Sequence, residues 1–176
     1  MPNIKDIEAA LTLSEDKSKL LGLTIGKQQV TPGQYIPKKE AQAAPELSFT
    51  GATGTYIVVC IDIDPPFPSF SVLGPALHWI QPGLKPGKNA DGITHLVAGN
   101  SPFIADYGGP APPPPSSPHR YVFLLYEQPE EFDIAKFAPP GGKKVGIGPR
   151  IRYDLKAFEK AAKLGPVVAS NYFLSN

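Results

Sequence analysis

The run from Thr55 to Ile61 constrains the fold more than any other stretch of this sequence. Its aromatic and β-branched residues are typical of a β-strand. Because the run is continuously apolar rather than alternating with polar residues, it predicts a strand buried on both faces. A second run of the same character, from Tyr121 to Tyr126, predicts another central strand. We therefore expect the core to form around a β-sheet.

Proline and glycine are distributed throughout the chain. The 22 prolines and 17 glycines argue against an all-helical fold and predict many turns and stiff loops. The densest cluster, Gly108 to Pro118, contains four consecutive prolines and forms an extended, low-entropy wall. Val30 to Gln34 is expected to be a strand closed by a Pro-Gly turn. Short helices are expected over Glu130 to Phe137 and over Leu155 to Leu164, the second capped by Asp154. The length of 176 residues predicts a single, mostly β domain spanning residues 1–176.

Composition excludes several classes of function. A net charge of +1 gives no reason to expect nucleic acid as a partner, and the locally basic stretch around Arg150 is interpreted as a solvated face, with an anion-attracting patch as the alternative. No apolar stretch is long enough to span a bilayer, and no leader segment is apparent. The single cysteine, Cys60, is expected to be an inert core thiol, so a cytoplasmic protein is expected. Phosphate-loop and dinucleotide motifs are absent from the sequence, which predicts no cofactor.

Histidines and aspartates at the ends of the predicted strands form the candidate site. Asp62 and Asp64 follow the first run, and residues two apart on a strand project from the same face. His78 lies in a predicted strand from Ala76 to Ile80, and His119 joins the proline cluster to the second run. A histidine at the mouth of a core strand, beside a rigid loop, indicates a pocket.

Three kinds of chemistry fit this Asp/His set, and the residues alone do not separate them. Two histidines and a carboxylate suit a zinc or iron site, although the ligands lack short paired spacing. An Asp-His pair also suits a serine hydrolase, but no nucleophile-elbow motif is present. The loop serines that lack such a setting are Ser69, Ser71, Ser116 and Ser117. The third possibility is an anion pocket built from histidine N–H groups and the backbone of Gly108-Gly109. Each histidine alone also fits a purely structural role.

Two motifs resemble the phosphatidylethanolamine-binding protein family. The first is Asp62-Ile63-Asp64-Pro65-Pro66, followed by Leu77-His78-Trp79. The second runs from Gly109 through the proline cluster to His119-Arg120-Tyr121. Further matches in order are Pro32-Gly33, Pro45 to Phe49, and Asn171-Tyr172-Phe173. The chain looks most like the fungal and plant members of a family that includes the Raf kinase inhibitor protein, the flowering-time protein FT and the yeast carboxypeptidase Y inhibitor.

This resemblance implies a β-sandwich with a large central sheet, a smaller sheet and a few short peripheral helices. It implies lipid binding through a pocket for a phosphate-like anion or phospholipid headgroup, with no catalytic activity, metal or cofactor. The ligand-binding residues implied by position are Asp62, Asp64, Pro66, His78, Gly109, Pro112, His119, Tyr121 and Tyr172. It also implies a cis peptide bond near the first motif, for which Pro65-Pro66 is the candidate. Phe67-Pro68-Ser69 departs from the Ser-Arg that often follows the family's first proline.

The leading hypothesis is therefore a non-enzymatic binding protein that holds a small anion and modulates a partner in signalling or proteolysis. The partner would be a serine protease or a kinase-pathway protein. One alternative is an inhibitor of a serine carboxypeptidase that acts through its surface and its N-terminal segment, Met1 to Ile7, since the segment matters in the family's yeast inhibitor. A hydrolase dependent on His78 and His119 is the remaining alternative.

Overall fold

The computed structural model describes residues 4–87 and 92–176, and over these ranges its main element is a curled sheet of nine strands. In chain order the strands are Gly22–Ile25 (β1), Gln28–Gln29 (β2), Gln34–Tyr35 (β3), Glu46–Ser48 (β4), Tyr56–Asp62 (β5), Ala76–Pro86 (β6), His95–Val97 (β7), His119–Glu127 (β8) and Val167–Ser175 (β9). Their spatial order is β2-β1-β4-β7-β6-β5-β8-β9-β3. The β3–β9 pair is parallel, and the other pairs of these strands are antiparallel.

Short helices lie at the periphery of the sheet. The α-helices are Ile4–Leu11 (α1), Ile134–Phe137 (α2) and Leu155–Ala161 (α3), and the 3₁₀ turns are Thr12–Glu15, Lys17–Lys19, Pro140–Gly142 and Gly148–Arg150. The carboxylates of Asp133 and Asp154 accept hydrogen bonds from the first-turn amides of α2 and α3, which explains where these two helices begin. Both predicted C-terminal helices are thus confirmed in shorter form. No helix within the described ranges is long and apolar enough to cross a membrane.

The two predicted central strands are buried on both faces because they separate two cores. Every residue of β5 is buried, as the continuous apolar run predicted. Because successive side chains of a strand point to opposite faces, β5 and β8 supply alternate residues to each core. The first core receives Val58, Cys60, Tyr121, Phe123 and Leu125. The second core receives Ile57, Val59, Ile61, Val122, Leu124 and Tyr126.

Different elements cover the two faces. Leu23, Leu47 and Leu96, from the smaller part of the sheet, close the first core. Ile7 of α1 and Phe158 of α3 cover the second core. The predicted β-sandwich with peripheral helices is therefore confirmed.

The long strand β6 links the two parts of the sandwich. Its first part pairs with β5 as far as Leu84, and its last residues, Lys85 and Pro86, pair with β7. Gly83 lies just before this change of partner with a φ of 72°, a left-handed conformation that glycine adopts without a steric penalty. The change of partner allows one sheet to fold over itself around the first core.

The predicted Pro-Gly turn is confirmed, but the predicted strand over Val30 to Gln34 is wrong. Gly33 has a φ of 77°, and the Gln34 amide donates to the Thr31 carbonyl, so the chain turns within the predicted strand. The short strands β2 and β3 form on either side of this turn. The Pro-Gly pair decides the local conformation because a residue with positive φ interrupts regular strand geometry.

Replacing Phe173 with alanine is expected to lower the free energy of unfolding by about 3–5 kcal/mol. Phe173 is fully buried, and its ring centroid lies 5.4 Å from that of Tyr121 and 5.7 Å from that of Phe123. Phe70→Ala removes the same atoms from a side chain that is 62% exposed, so its effect should stay within about 0.5 kcal/mol. Denaturant unfolding followed by circular dichroism measures both. Equal losses would contradict the packing of the first core.

Candidate functional site

A cavity of about 410 Å³ opens at one end of β5, β6 and β8, beside the proline loop formed by residues 108–118. Seven of the predicted ligand-binding residues line it, namely Asp62, Pro66, His78, Gly109, Pro112, His119 and Tyr121. The peptide bond between Pro65 and Pro66 at its edge is cis, as predicted. The structure thus brings together residues that are far apart in the sequence, while their role in ligand binding stays a prediction.

Strand pairing positions the polar residues of this cavity. Asp62, at the end of β5, pairs in register with Tyr121 on β8 and with Ala76 on β6. His119 is the first residue of β8, and His78 lies two residues beyond Ala76 on β6. Since residues two apart on a strand share a face, this register places both imidazoles near the Asp62 carboxylate. The site is therefore held on the ends of three central strands.

Asp62, His119 and Ser116 form a hydrogen-bonded chain in the cavity wall. Nδ1 of His119 lies 2.7 Å from Oδ2 of Asp62, and its Nε2 lies 2.8 Å from Oγ of Ser116. Nε2 also lies 3.2 Å from the Pro66 carbonyl oxygen, which can only accept. The Ser116 hydroxyl donates its single proton to the Ser117 carbonyl at 2.8 Å, so its oxygen accepts from Nε2–H of His119.

His119 is consequently a donor at both ring nitrogens and forms a buried ion pair with Asp62. Burial by itself lowers the pKa of His119, but the hydrogen bond and charge of Asp62 outweigh it and raise the pKa above the ordinary value of 6.5. All N–H groups of this imidazolium are already bonded within the protein.

The Asp62–His119–Ser116 distances resemble those of a hydrolase triad, but the direction of proton donation is the opposite. A general base must accept the proton of the serine hydroxyl, whereas His119 donates to Ser116. Ser116 is buried and does not line the cavity. This arrangement does not favour the hydrolase interpretation.

His78 presents a free nitrogen on the cavity wall. Its Nδ1 lies 2.6 Å from the carbonyl oxygen of Gly108, which only accepts, so Nδ1 carries a proton and the neutral ring has its lone pair on Nε2. Nε2 has no hydrogen-bond partner within the described part of the chain. Burial lowers the pKa of His78, so the neutral form is favoured at pH 7.

Tyr121 presents a second free polar group beside His78. The two rings meet edge-on, with centroids 5.0 Å apart and an interplanar angle of 87°. The Tyr121 hydroxyl is buried and makes no hydrogen bond to any residue that the structure describes, although the Ala111 amide lies near enough to influence its pKa. Burial raises the pKa of Tyr121, so the hydroxyl is a donor at physiological pH.

Arg150 also lines the cavity, and sequence reasoning missed it as a site residue. All five of its N–H groups donate to the protein. Their acceptors are the carbonyl oxygens of Leu77, His78, Asp106 and Val145 and the Asp106 carboxylate. The only sequence signal was the basic stretch around it, because no spacing connects residue 150 with β6.

Asp64 and Tyr172 lie outside the lining of this cavity, and their role in ligand binding stays a prediction. The buried Asp64 carboxylate accepts from the backbone amide and the guanidinium of Arg120, at 2.7–3.0 Å. Arg120 also reaches Glu8 on α1 at 3.2 Å, so Asp64 helps to attach α1 to β8. Tyr172 lies on β9, where it packs beside the turn at Gly33.

The third histidine does not join this cluster. His95 lies on β7 and pairs with Ser48 on β4, in the smaller part of the sheet. Over residues 4–87 and 92–176, no group of three His, Cys, Asp or Glu side chains is arranged to hold a metal ion. The metal interpretation gains no support from this geometry.

Comparisons with known proteins agree with the fold. A sequence profile described as "Phosphatidylethanolamine-binding protein" matches residues 26–173. Phomoidride biosynthesis cluster protein N of Talaromyces stipitatus is 32% identical, covering 83% of this chain and 78% of that protein. Carboxypeptidase Y inhibitor of Saccharomyces cerevisiae is 30% identical, covering 82% and 77%. The crystal structure of carboxypeptidase Y inhibitor complexed with its cognate proteinase superposes with a TM-score of 0.69 at 23% identity, covering 96% and 95%.

Replacing Asp62 with asparagine is expected to lower the pKa of His119, because burial then acts without the compensating negative charge. In the native protein the raised pKa contributes stability that is fully present below pH 6.5 and is lost as the pH rises through the folded-state value. Asp62→Asn should therefore cost more stability at pH 6 than at pH 9. Imidazole NMR titration and denaturant unfolding at both pH values measure these effects. An unchanged His119 titration would contradict the ion pair.

Proposed function

Because the chain belongs to the phosphatidylethanolamine-binding protein family, we propose that it is a binding protein whose cavity holds a small anion. Phosphate and a phospholipid headgroup are candidate ligands. The anion would lie against His78 and Tyr121, and occupancy would modulate a protein partner in signalling or proteolysis. The kinase-pathway and serine-protease partners inferred from the sequence both remain compatible with this role.

The observation that carries this proposal is the pair of unbonded polar groups on the cavity wall. The Tyr121 hydroxyl is buried, and a buried polar group without a hydrogen-bond partner is costly unless a ligand or water satisfies it. The Tyr121 hydroxyl is a donor, and Nε2 of His78 becomes a charge-assisted donor when the ring is protonated. An anionic oxygen satisfies both groups at once.

A binding role fits this site better than catalysis. Two of the charged side chains in the cavity wall are already engaged, His119 with Asp62 and Arg150 with Asp106. Ser116 donates its proton away from His119. The cavity therefore has a place for a ligand, and none of the described residues that line it is a serine nucleophile.

His78→Ala is expected to weaken binding of the anion at least tenfold, because the variant loses the ligand's charge-assisted hydrogen bond. Isothermal titration calorimetry at pH 6 with phosphate, phosphoethanolamine and short carboxylates is the appropriate measurement. His95→Ala is the matched control, since His95 lies on β7 outside the cavity, and should bind like the native protein. If no anion binds the native protein, or if His78→Ala binds as tightly, the proposal fails.

The second candidate function is inhibition of a serine carboxypeptidase. It is favoured by the 30% identity to the yeast carboxypeptidase Y inhibitor over most of both chains. In this proposal the N-terminal segment and adjacent surface contact the protease, and the anion cavity is secondary. Residues 1–3 of that segment lie outside the described residues, and α1 begins at Ile4.

A variant lacking Pro2 and Asn3 separates the two candidate functions. It should lose inhibition of yeast carboxypeptidase Y while still binding anions, because α1 and the cavity keep their residues. His78→Ala should show the converse behaviour. Peptidase assays with a synthetic substrate measure inhibition. Equal inhibition by the native and shortened chains would count against a role for the N-terminal segment, and absence of inhibition by the native chain would exclude this function.

A further inference from the structure

The charges in the cavity wall neutralise each other. The imidazolium of His119 pairs with Asp62 at 2.7 Å, and the guanidinium of Arg150 pairs with Asp106 at 2.6 Å. Each cation donates its N–H groups to protein acceptors, so neither has one left for a ligand. A multiply charged anion that entered this cavity would lose part of its hydration without gaining an unpaired cation, which is unfavourable.

Two uncommitted groups remain, and they are complementary. When the His78 ring is neutral, its Nε2 can accept a hydrogen bond, and the Tyr121 hydroxyl can donate one. Every other side-chain nitrogen or oxygen that lines the cavity within the described residues already has a partner. One donor and one acceptor on a shared wall match the two oxygens of a carboxyl group that carries a single proton.

The rest of the wall is largely apolar. Leu73, Leu77 and Ile151 line the cavity, together with the prolines Pro65, Pro66, Pro112 and Pro113. The cavity volume of about 410 Å³ corresponds to roughly fourteen liquid water molecules at about 30 Å³ each, so phosphate alone would leave most of the cavity unfilled. A ligand with an apolar body removes this apolar surface from water, which is favourable.

We propose that the ligand is a small monocarboxylic acid with an apolar body, bound with one proton shared between its carboxyl group and His78. One carboxyl oxygen meets Nε2 of His78, the other accepts from the Tyr121 hydroxyl, and the hydrocarbon part contacts the leucine and proline walls. This inference rests on the proposed anion-binding function and selects one chemical class among the anions.

Proton uptake follows from this arrangement. The free carboxylate and neutral His78 together lack the proton that the complex contains, so binding near pH 7.5 should take up about one proton. The charged and titratable groups that face His78 are Asp62 on β5, His119 and Tyr121 on β8, and Arg150 at the end of the 3₁₀ turn Gly148–Arg150. Affinity should fall about tenfold per pH unit in this range, because one proton joins the complex.

Calorimetry with a homologous series tests the ligand class. Acetate, butanoate, hexanoate and octanoate should bind with affinities that rise about fourfold per buried methylene, until the cavity is filled. Octanoate should bind at least tenfold more tightly than inorganic phosphate. Titrations at pH 7.5 in buffers of different ionisation enthalpy measure the proton uptake, which His78→Gln should abolish.

A pair of tyrosine variants tests the position of the carboxyl group. Tyr121→Phe removes a hydroxyl that has no hydrogen-bond partner among residues 4–87 and 92–176, so folding is preserved while octanoate affinity falls about tenfold. Tyr126→Phe is the matched control, because its hydroxyl donates to Glu159 on the opposite face of β8. This control should bind octanoate like the native protein.

The outcomes separate this inference from the anion-binding proposal. Phosphate binding that exceeds octanoate binding, or affinity independent of chain length, overturns the carboxylic-acid assignment and leaves anion binding intact. Equal binding of octanol and octanoate also overturns it, since the carboxyl group would then be irrelevant. If none of the anions binds, both proposals fail together.

Discussion

The antiparallel pairing of β5 with β8 is the interaction on which the rest of the structure depends. Their registered residues run from Tyr56–Glu127 to Asp62–Tyr121, and the paired strands separate the two cores. Because one set of backbone hydrogen bonds aligns both the apolar interior and the strand ends, the core and the site are not independent. A shift of one residue would exchange the faces of every side chain and also separate Asp62 from His119.

The ends of these strands hold a polar network that is satisfied internally. His119 is fully buried, yet its two nitrogens reach Asp62, Ser116 and the Pro66 carbonyl. Arg150 is similarly saturated by Asp106 and main-chain oxygens. Among the described residues that line the cavity, this network leaves His78 and Tyr121 as the polar side chains available to a ligand. The chemistry of the site therefore follows from the two groups that the network leaves unbonded, rather than from its formal charges.

The site was only partly predictable, for reasons that individual residues illustrate. Asp62, His78 and His119 were identified because polar residues at the ends of apolar strands are conspicuous. Asp64 was grouped with them by strand periodicity, but β5 ends at Asp62, and Asp64 instead accepts hydrogen bonds from Arg120. Arg150 was overlooked because the 3₁₀ turn that carries it to β6 leaves no periodic signal.

By itself, the sequence determined the central strands, the helix start at Asp154, and the stiff proline wall. These features depend on local periodicity, capping and restricted backbone angles, which neighbouring residues encode. Only the tertiary structure decided the direction of each hydrogen bond in the site and which polar groups have no hydrogen-bond partner among the described residues. That His119 donates to Ser116, and that the Tyr121 hydroxyl is unbonded, depends on contacts between distant segments, which no local pattern specifies.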